Sequence, residues 1–422
     1  MMRSRPNESI GSVYIVTVLM CALVATIAAA ALSVSRRQSQ HAAIINDGAI
    51  AESLLTSGIA AALHWPASDV DWRRNYPNYI VNGFSSRSWD VWHALPEGQI
   101  NVTATLADGL SGTGRGLDSD PFNLAIRTQR GRAQHSATVT VDTQIKPYAV
   151  LGYGLYAAGT LEVKSGDAIT ANGVSVRCQS NSRIDGTIHG DLQTLTRTGS
   201  GNVHGALSLS TTALPLPDTA AINRLIAQAT VLPAGSNIDK HLIAPSVNTF
   251  SASVDPNGLY YLNGYGSDVT VKDSRILGTL IINVGPSKKV TIDTNVLMEP
   301  YRAGLPALIV IGNCELKLRS RTESLSEASI KVNFNPPGAP FNGVTNGDQL
   351  DTFPLRIDGL VAVFGELKVT ETPLVRGPVI CAGNVLIDGP LELRAAPDPA
   401  APAPFYNVIG HTLRAGTWRR AP

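Results

Sequence analysis

The sequence predicts a mainly β protein built from a long N-terminal helix, a small antiparallel sheet and a parallel β-helix (solenoid). Three observations predict it: glycine-punctuated strand repeats after residue 150, an uncharged apolar run near the N-terminus, and alternating apolar segments between the two. The expected parts are a cytoplasmic leader at 1–9, a transmembrane and amphipathic helix at 10–65, a small sheet unit at 66–147, the solenoid at 148–394 and a Pro/Ala-rich tail at 395–422.

Each repeat has a short apolar strand, a corner containing glycine or asparagine, and a second strand with alternating apolar residues. A period of two marks a strand with one buried face. Copies recur at roughly twenty residues, and each is too short to bury its own apolar face, so the copies must stack. A looser set occupies 154–209, and insertions are expected at 214–257 and 320–356. The clearest copies are GLYYLNGYGSDVTVKD (258–273), GTLIINVGPSKKVTID (278–293), ALIVIGNCELKL (307–318), GLVAVFGELKV (359–369) and GPVICAGNVLIDGPLEL (377–393).

Composition argues against nucleic acid as a partner and leaves one disulfide bond undecided. Charged residues make up 16% of the chain, the net charge is +1, and arginine pairs are the longest basic tracts. Nucleic-acid binding needs a basic footprint, so it is not expected. The cysteines are Cys21, Cys178, Cys314 and Cys381. A Cys314–Cys381 disulfide stays open, but buried free thiols that pack as small apolar groups are favoured.

The N-terminal run IGSVYIVTVLMCALVATIAAAALSV (10–34) contains no charged residue. A membrane-spanning helix needs about 20 such residues, whereas the apolar core of a signal peptide has roughly 7–15. We therefore expect a retained membrane helix, with a cleaved signal peptide as the alternative. Arginines on both sides of the run, at 3, 5, 36 and 37, leave its orientation unsettled by charge.

After the run, the helical pattern becomes amphipathic and ends before Pro66. Three alternating segments follow and predict the antiparallel sheet. The apolar helix positions are Ile44, Gly48, Ala51, Leu55, Ile59 and Ala62. The strands are QINVTATLAD (99–108), FNLAIRTQ (122–129) and AQHSATVTVDTQI (133–145).

A membrane helix that leads through an amphipathic half into a small sheet resembles the type IV pilins and the pseudopilins of type II secretion. RSRPNESIGSVYIVTVLM (3–20) is most similar to the PilX-type minor pilins. The repeats after residue 150 resemble the β-helical region of some large PilX-like proteins and, more distantly, the bactofilin fold. The resemblance implies cleavage by a prepilin peptidase between Gly11 and Ser12. The glutamate that the family places five residues after the glycine is Val16 here.

No catalytic, cofactor-binding or metal-binding residue is predicted. The motifs ELKL and ELKV place Glu315 and Lys317, then Glu366 and Lys368, at equivalent positions of two repeats. Such a pattern is typical of an outward, solvated strand face with cross-strand ion pairs.

Two further polar motifs are interpreted without a bound metal. His189 in GTIHG and His204 in GNVHG are expected at one turn position of adjacent coils, because no third ligand has metal-site spacing. Asp118 and Asp120 lack the series of oxygen ligands that a calcium loop requires.

We therefore expect a non-enzymatic structural or interaction protein of the bacterial cell envelope, a PilX-like minor pilin or pseudopilin of a type IV pilus or type II secretion-like system. One helix would hold it in the inner membrane, with the N-terminus cytoplasmic and the bulk periplasmic or extracellular. Its partners would be the membrane, other pilins or a surface ligand. The alternatives are an anchored β-helical enzyme acting on polysaccharide and a bactofilin-like polymer. The enzyme requires three or more charged side chains gathered in one groove.

Overall fold

The computed structural model divides the chain into two compact units. One contains the N-terminal helix and the antiparallel sheet (1–112, 120–143 and 411–422), and the other contains the solenoid (113–119 and 144–410). The predicted fold class is confirmed in both. The structure describes residues 9–68, 89–95, 98–106, 117, 119–209, 212–234, 237–251, 253–319, 322–397 and 401–421.

Helix α1 runs from Ser9 to Ser68 as one continuous element of 60 residues. It extends three residues beyond the predicted end, and helix ends commonly differ by one or two residues between criteria. Pro66 therefore lies in the last turn rather than after the helix. By length and composition, α1 is able to cross a membrane.

The antiparallel sheet follows α1 in the chain. Its strands pair in the order β1–β2–β3–β4, each antiparallel to the next. Three of them match the predicted strands, whereas β1 was not predicted. The buried faces of β3 and β4 form a separate core with α1. The bounds are β1 (Trp89–Leu95), β2 (Gly98–Leu106), β3 (Phe122–Arg130) and β4 (Ala133–Pro147).

The solenoid is a parallel β-helix whose coils each contribute short strands to three faces. A 3-10 turn at Ala149–Gly152 precedes its first strand. The first ten strands are β5 (Leu155–Ala157), β6 (Leu161–Val163), β7 (Ala168–Asn172), β8 (Val176–Cys178), β9 (Asn181–Ile184), β10 (Thr187–His189), β11 (Leu192–Gln193), β12 (Thr196–Thr198), β13 (Asn202–Val203) and β14 (Leu207–Ser208).

The remaining elements up to residue 394 complete the coils, apart from β22 and β23, which pair with each other in the second insertion. They are β15 (Thr230–Leu232), β16 (Ile238–Asp239), β17 (Leu242–Ile243), β18 (Leu259–Asn263), β19 (Val269–Leu277), β20 (Thr279–Glu299), β21 (Leu308–Leu318), β22 (Ser324–Ser326), β23 (Thr352–Pro354), β24 (Arg356–Asp358), β25 (Val361–Val363), β26 (Leu367–Thr370), β27 (Leu374–Arg376), β28 (Val379–Cys381), β29 (Val385–Asp388) and β30 (Leu391–Arg394).

The coils do not stack in sequence order. The first coil (β5–β7) pairs with β8–β10 on one side and with the last coil (β28–β30) on the other. The coils at 155–208 therefore continue the same stack as the coils at 259–394. Inward aliphatic side chains from all coils form one core, as in the register Val361–Val379–Leu155–Val176.

Glycines line one corner of the stack because the backbones of successive coils approach closely there. A Cβ atom on Gly383 would lie 2.4 Å from the carbonyl oxygen of Gly365, and a Cβ on Gly365 would lie 2.3 Å from that of Gly312. No side chain fits at these distances. This explains the recurrence of glycine at the corner of each repeat.

The chain crosses from the coil ending at β14 to the coil beginning at β15 by way of helix α2 (Thr219–Ile226). Asp218 caps α2 by accepting a hydrogen bond from the Ala221 amide at 2.7 Å, as expected for this residue type. Arg177 donates to the carbonyl of Thr212 at 2.6 Å and holds the crossover against the solenoid. The segment 214–257, expected to be an insertion, therefore also supplies β15, β16 and β17 to an end coil.

The second insertion (320–356) forms a small unit on the solenoid. It contains the short helix α3 (Glu327–Ile330) and the antiparallel pair β22–β23. Its aromatic core includes Phe334 and Phe353, whose ring centroids lie 6.0 Å apart. Arg275 of β19 reaches into it and is 1% exposed.

The tail (395–422), predicted only as a Pro/Ala-rich segment, contains regular structure. It contains β31 (Tyr406–Leu413) and β32 (Arg419–Ala421), which belong to the antiparallel sheet, with β32 antiparallel to β4. Sequence analysis missed these strands because the alternating segment YNVIGHTL directly follows a Pro/Ala-rich segment.

Candidate functional sites

The first half of α1 is apolar on every side. Twelve large apolar side chains between Val13 and Val34 are 50–72% exposed. They include Val13, Tyr14, Ile15 and Val16 in succession, so they form no single stripe. A helix that is apolar all round is stable only inside a protein core or a membrane. Transferring these side chains out of water is worth on the order of 20–30 kcal/mol.

The second half of α1 packs on the antiparallel sheet. Leu54, Leu55 and Ile59 are buried there against β3 and β4. Ile44, which the helical pattern assigns to the same face, is 60% exposed. The packed face therefore starts at about Ala51, one to two turns later than the sequence pattern predicts.

Polar contacts fix the start of the packed face of α1. The buried hydroxyl of Thr128 donates to the carbonyl of Ala51 at 2.7 Å. Arg420 Nη2 lies 2.7 Å from Glu52 Oε1, and Arg130 Nε lies 3.7 Å from Asp47 Oδ1. These contacts fix the position of the helix along the sheet.

Gly11 and Ser12 lie within the first turn of α1 as far as its backbone is described. Cleavage between them stays a prediction. Val16, at the position of the family's glutamate, is 59% exposed in the apolar half.

On the solenoid, five charged side chains from consecutive coils form a charge ladder. Lys289 Nζ lies 2.6 Å from Glu315 Oε2, and Lys368 Nζ lies 3.9 Å from the other oxygen of Glu315. Lys368 also reaches Asp388 at 3.2 Å, and Lys164 binds the same carboxylate at 2.8 Å. The cross-strand ion pairs expected on this face are therefore present.

The ladder borders a groove that gathers more than the three charged side chains required by the enzyme hypothesis. Its lining includes Glu162, Asp268, Lys289, Glu315, Glu366 and Lys368. Grouping alone therefore does not exclude catalysis, and the protonation states of these groups decide what the groove can do.

The pKa shifts keep the ladder ionised. Hydrogen bonding to Lys289 lowers the pKa of Glu315, and hydrogen bonds from Lys164 and Lys368 lower that of Asp388. The same bonds raise the pKa values of Lys164 and Lys289. General acid–base catalysis needs a pKa near the working pH, and these shifts move in the opposite direction. Nearby Asp167 differs, because burial and then Asp388 raise its pKa.

The remaining predicted residues carry no assembled site. His189 and His204 stack with ring centroids 4.8 Å apart and planes 3° apart, as expected for one position in adjacent coils. Asp120 is 7% exposed, and Asp118 lies outside the described residues. The four cysteines are free. Burial raises the pKa of Cys381 to about 12, so this thiol stays protonated and unreactive.

One acidic cluster was missed by sequence analysis. Glu327, Asp348 and Asp351 of the second insertion come together, each with an oxygen within 4.8 Å of the others. The density of Asn and Asp in NFNPPGAPFNGVTNGDQLD was a signal, but the segment was predicted only as part of an insertion. The glutamate lies outside that motif, and only the fold brings it close.

No protein-family model matches the chain, and no curated protein matches it significantly. Among solved structures, it is similar to the competence-associated pilin ComZ from Thermus thermophilus, with 10% identity, a TM-score of 0.30, and coverage of 89% of this chain and 98% of that one. It is also similar to an ice-binding protein from the Antarctic ascomycete Antarctomyces psychrotrophicus, with 12% identity, a TM-score of 0.24, and coverage of 58% of this chain and 94% of that one. A third similar structure is an ice-binding protein from an Antarctic biological consortium, with 12% identity, a TM-score of 0.24, and coverage of 60% of this chain and 93% of that one. Similarity at this level carries no argument about function.

Proposed function

We propose that this chain is a non-enzymatic, membrane-anchored subunit of a bacterial cell-envelope assembly, of the PilX-like minor pilin or pseudopilin type. One observation carries the proposal: a single helix has a first half that is apolar all round and a second half packed on a small antiparallel sheet. The first half needs lipid or other apolar helices around it, and the second half fixes it to the rest of its unit.

A pilin-class subunit uses such a helix twice. The apolar half holds the subunit in the inner membrane before assembly, and it packs against the helices of other subunits afterwards. Both environments exclude water, so the same exposed side chains serve both. In this account the bulk of the chain is periplasmic or extracellular, and the solenoid is the part that meets a surface ligand or another subunit.

The non-enzymatic part of the proposal rests on the charge ladder. Its three lysines alternate with two carboxylates across five coils, and the pKa shifts of Lys164, Lys289, Glu315 and Asp388 oppose proton transfer near neutral pH. A ladder of this kind stabilises the register of parallel strands. Asp167, beside the ladder, is the acid that the enzyme hypothesis would favour, because burial raises its pKa.

The mature N-terminus tests the pilin class. In cells with a prepilin peptidase, mass spectrometry is expected to find a chain that begins at Ser12. Gly11→Glu should abolish this processing, because the backbone can no longer approach the peptidase closely. Ser9→Ala, two residues earlier, is the matched control and should be processed normally. A wild-type chain that begins at Met1 or Met2 in pilus-assembling cells would contradict the pilin class.

A bactofilin-like polymer is the second candidate function, and one observation favours it. The coil that ends at β14 leaves Leu195, Leu207 and Leu209 41–59% exposed, as expected for an open solenoid end. Arg197 of β12 occupies the register position of buried Ser182, so this coil carries a charged residue at an inward position, which opposes edge-to-edge pairing. Sedimentation velocity separates the two hypotheses. Polymerisation predicts that the sedimentation coefficient of the wild type rises with protein concentration, and that the Leu207→Lys variant forms smaller species.

A further inference from the structure

The acidic cluster of the second insertion is built on three carboxylates of different exposure. Glu327 is fully buried, Asp351 is half-buried and Asp348 is exposed. Their nearest oxygens lie within 4.8 Å of one another, which is the largest separation possible for two oxygens that share one calcium ion at about 2.4 Å each. The exposed member leaves the cluster open to solvent on one side, so an ion has an entry path.

A buried amide beside the cluster supplies the second observation. Asn335 is 3% exposed, its Nδ2 donates to Asp351 Oδ2 at 2.8 Å, and its Oδ1 is buried without a hydrogen-bond partner. Both atoms share one carbon, so Oδ1 lies within about 5 Å of that carboxylate oxygen. A buried oxygen without a partner is unfavourable by about 1–3 kcal/mol. A cation at the cluster would remove this cost.

The oxygens are held in place by the surrounding backbone. The carboxylate of Glu327 accepts hydrogen bonds from the amides of Phe334 and Asp351, the latter at 3.0 Å. Asn346 Nδ2 donates to Asp351 Oδ2 at 2.6 Å, and the Asn346 amide donates to the Asn335 carbonyl at 3.0 Å. A site formed in advance in this way loses little entropy when an ion binds.

We propose that Glu327, Asp348, Asp351 and the Oδ1 of Asn335 bind one calcium ion. All the ligands are hard oxygens, and they mix carboxylates with a neutral amide, as calcium sites do. Magnesium demands nearly ideal octahedral geometry at 2.0–2.1 Å, whereas calcium accepts about six to eight oxygens in flexible geometry. The ion would link helix α3 to the loop before β23 and so fix the insertion. The site is independent of the proposed membrane function.

Calorimetric titration of the chelator-treated full-length chain in detergent with CaCl2 tests the proposal. We expect one binding site, and Asp348→Asn should weaken it at least about tenfold, because loss of even a supporting group commonly costs 10–100-fold. Asp348 is exposed, so this variant tests binding rather than folding. Asn335→Ala should weaken binding similarly. Glu323→Gln removes a charge from the same insertion outside the cluster and should bind as the wild type does.

Thermal unfolding gives a second readout, since a ligand that binds the folded state alone raises the melting temperature. Calcium should raise it for the wild type and for Glu323→Gln, and much less for Asp348→Asn. Equal affinity of the wild type and Asp348→Asn would overturn the proposal, as would the absence of calcium binding at millimolar concentration. Tighter binding of MgCl2 than of CaCl2 would also overturn it.

Discussion

The hydroxyl of Thr128 on β3 donates to the carbonyl of Ala51 in α1 at 2.7 Å, and both residues are buried. Toward the N-terminus from this contact, the large apolar side chains from Val13 to Ile45 are exposed, and Ile50 is the first to pack partly on the sheet. Toward the C-terminus they pack on the sheet. The bond therefore marks the point at which the helix joins the core of the antiparallel sheet.

Thr128→Val should destabilise the helix–sheet unit by about 1–2 kcal/mol, because the variant keeps the shape and loses a buried hydrogen bond. Thr138→Val is the matched control, since Thr138 lies exposed on the neighbouring strand β4. Chemical unfolding of the full-length chain in detergent measures the difference. Equal stability of the two variants would show that the bond does not hold the helix.

Gly383→Ala should destabilise the solenoid by about 1–3 kcal/mol or more, because the new methyl group meets the Gly365 carbonyl at 2.4 Å and forces the coils apart. Gly152→Ala serves as the control, as its Cβ would have no atom within 4 Å. Thermal unfolding followed by circular dichroism measures both. A Gly383→Ala protein as stable as the Gly152→Ala protein would refute the close-contact account of the corner.

Arg275→Met should release the second insertion. The guanidinium of Arg275 donates to the carbonyls of Phe334 (2.6 Å), Ala339 (2.9 Å) and Pro340 (2.8 Å), and pairs with Glu299 at 3.2 Å. Breaking a buried pair of this kind costs about 3–5 kcal/mol.

Limited trypsin digestion is the measurement, and cleavage after the exposed Lys331 should accelerate in Arg275→Met. Arg356→Met is the control, because Arg356 also approaches Glu299, at 3.8 Å, but its partners are the carboxylates of Glu299 and Asp358. Equal cleavage of both variants would contradict the role assigned to Arg275.

The charge ladder predicts a pH window. A carboxyl whose folded pKa is lowered, such as Glu315, contributes stability above its unfolded pKa of about 4.3 and loses it as the pH falls through the folded value. Lys289, whose pKa is raised, contributes fully below about 10.4 and loses its contribution at higher pH. The ladder therefore stabilises the solenoid between about pH 5 and pH 10.

Because these side chains are partly solvated, Glu315→Gln should cost less than about 1 kcal/mol at pH 7, and nothing near pH 2. Urea unfolding at both pH values measures the difference, with the exposed Glu371→Gln as control. A constant difference between wild type and Glu315→Gln at both pH values would contradict the ladder.

The sequence predicts the rungs of the solenoid well and their order poorly. Strand periodicity and corner glycines are local properties, so the repeats from 258 to 393 are visible in the sequence. Leu155, Val176 and Val379 present the same inward pattern, however, and nothing local shows that the first coil lies between the other two. The crossover through α2 decides this order, because it carries the chain from the coil that ends at β14 to the coil that begins at β15.

Some of the candidate sites could likewise be predicted from the sequence, and others could not. The apolar half of α1 and the ELKL and ELKV ladder follow from residue pattern alone. Arg275 and Glu327 do not, because their hydrogen-bond partners come from other segments of the chain. Only the folded insertion gives them their partners.

Cys21 tests the central claim most directly, because this exposed thiol lies within the apolar half of α1, whereas the other three cysteines are buried. The measurement is labelling of intact membranes from cells expressing the full chain with a membrane-impermeant maleimide. The variant Ser39→Cys, changed about 27 Å further along the helix, provides a reporter outside the bilayer.

We expect Cys21 to stay unlabelled until detergent is added. The thiol introduced by Ser39→Cys should label without detergent once the membranes are opened to the reagent on both sides. Labelling of Cys21 in intact or opened membranes without detergent, or loss of the segment that carries it from the mature chain, would contradict a membrane-anchored subunit.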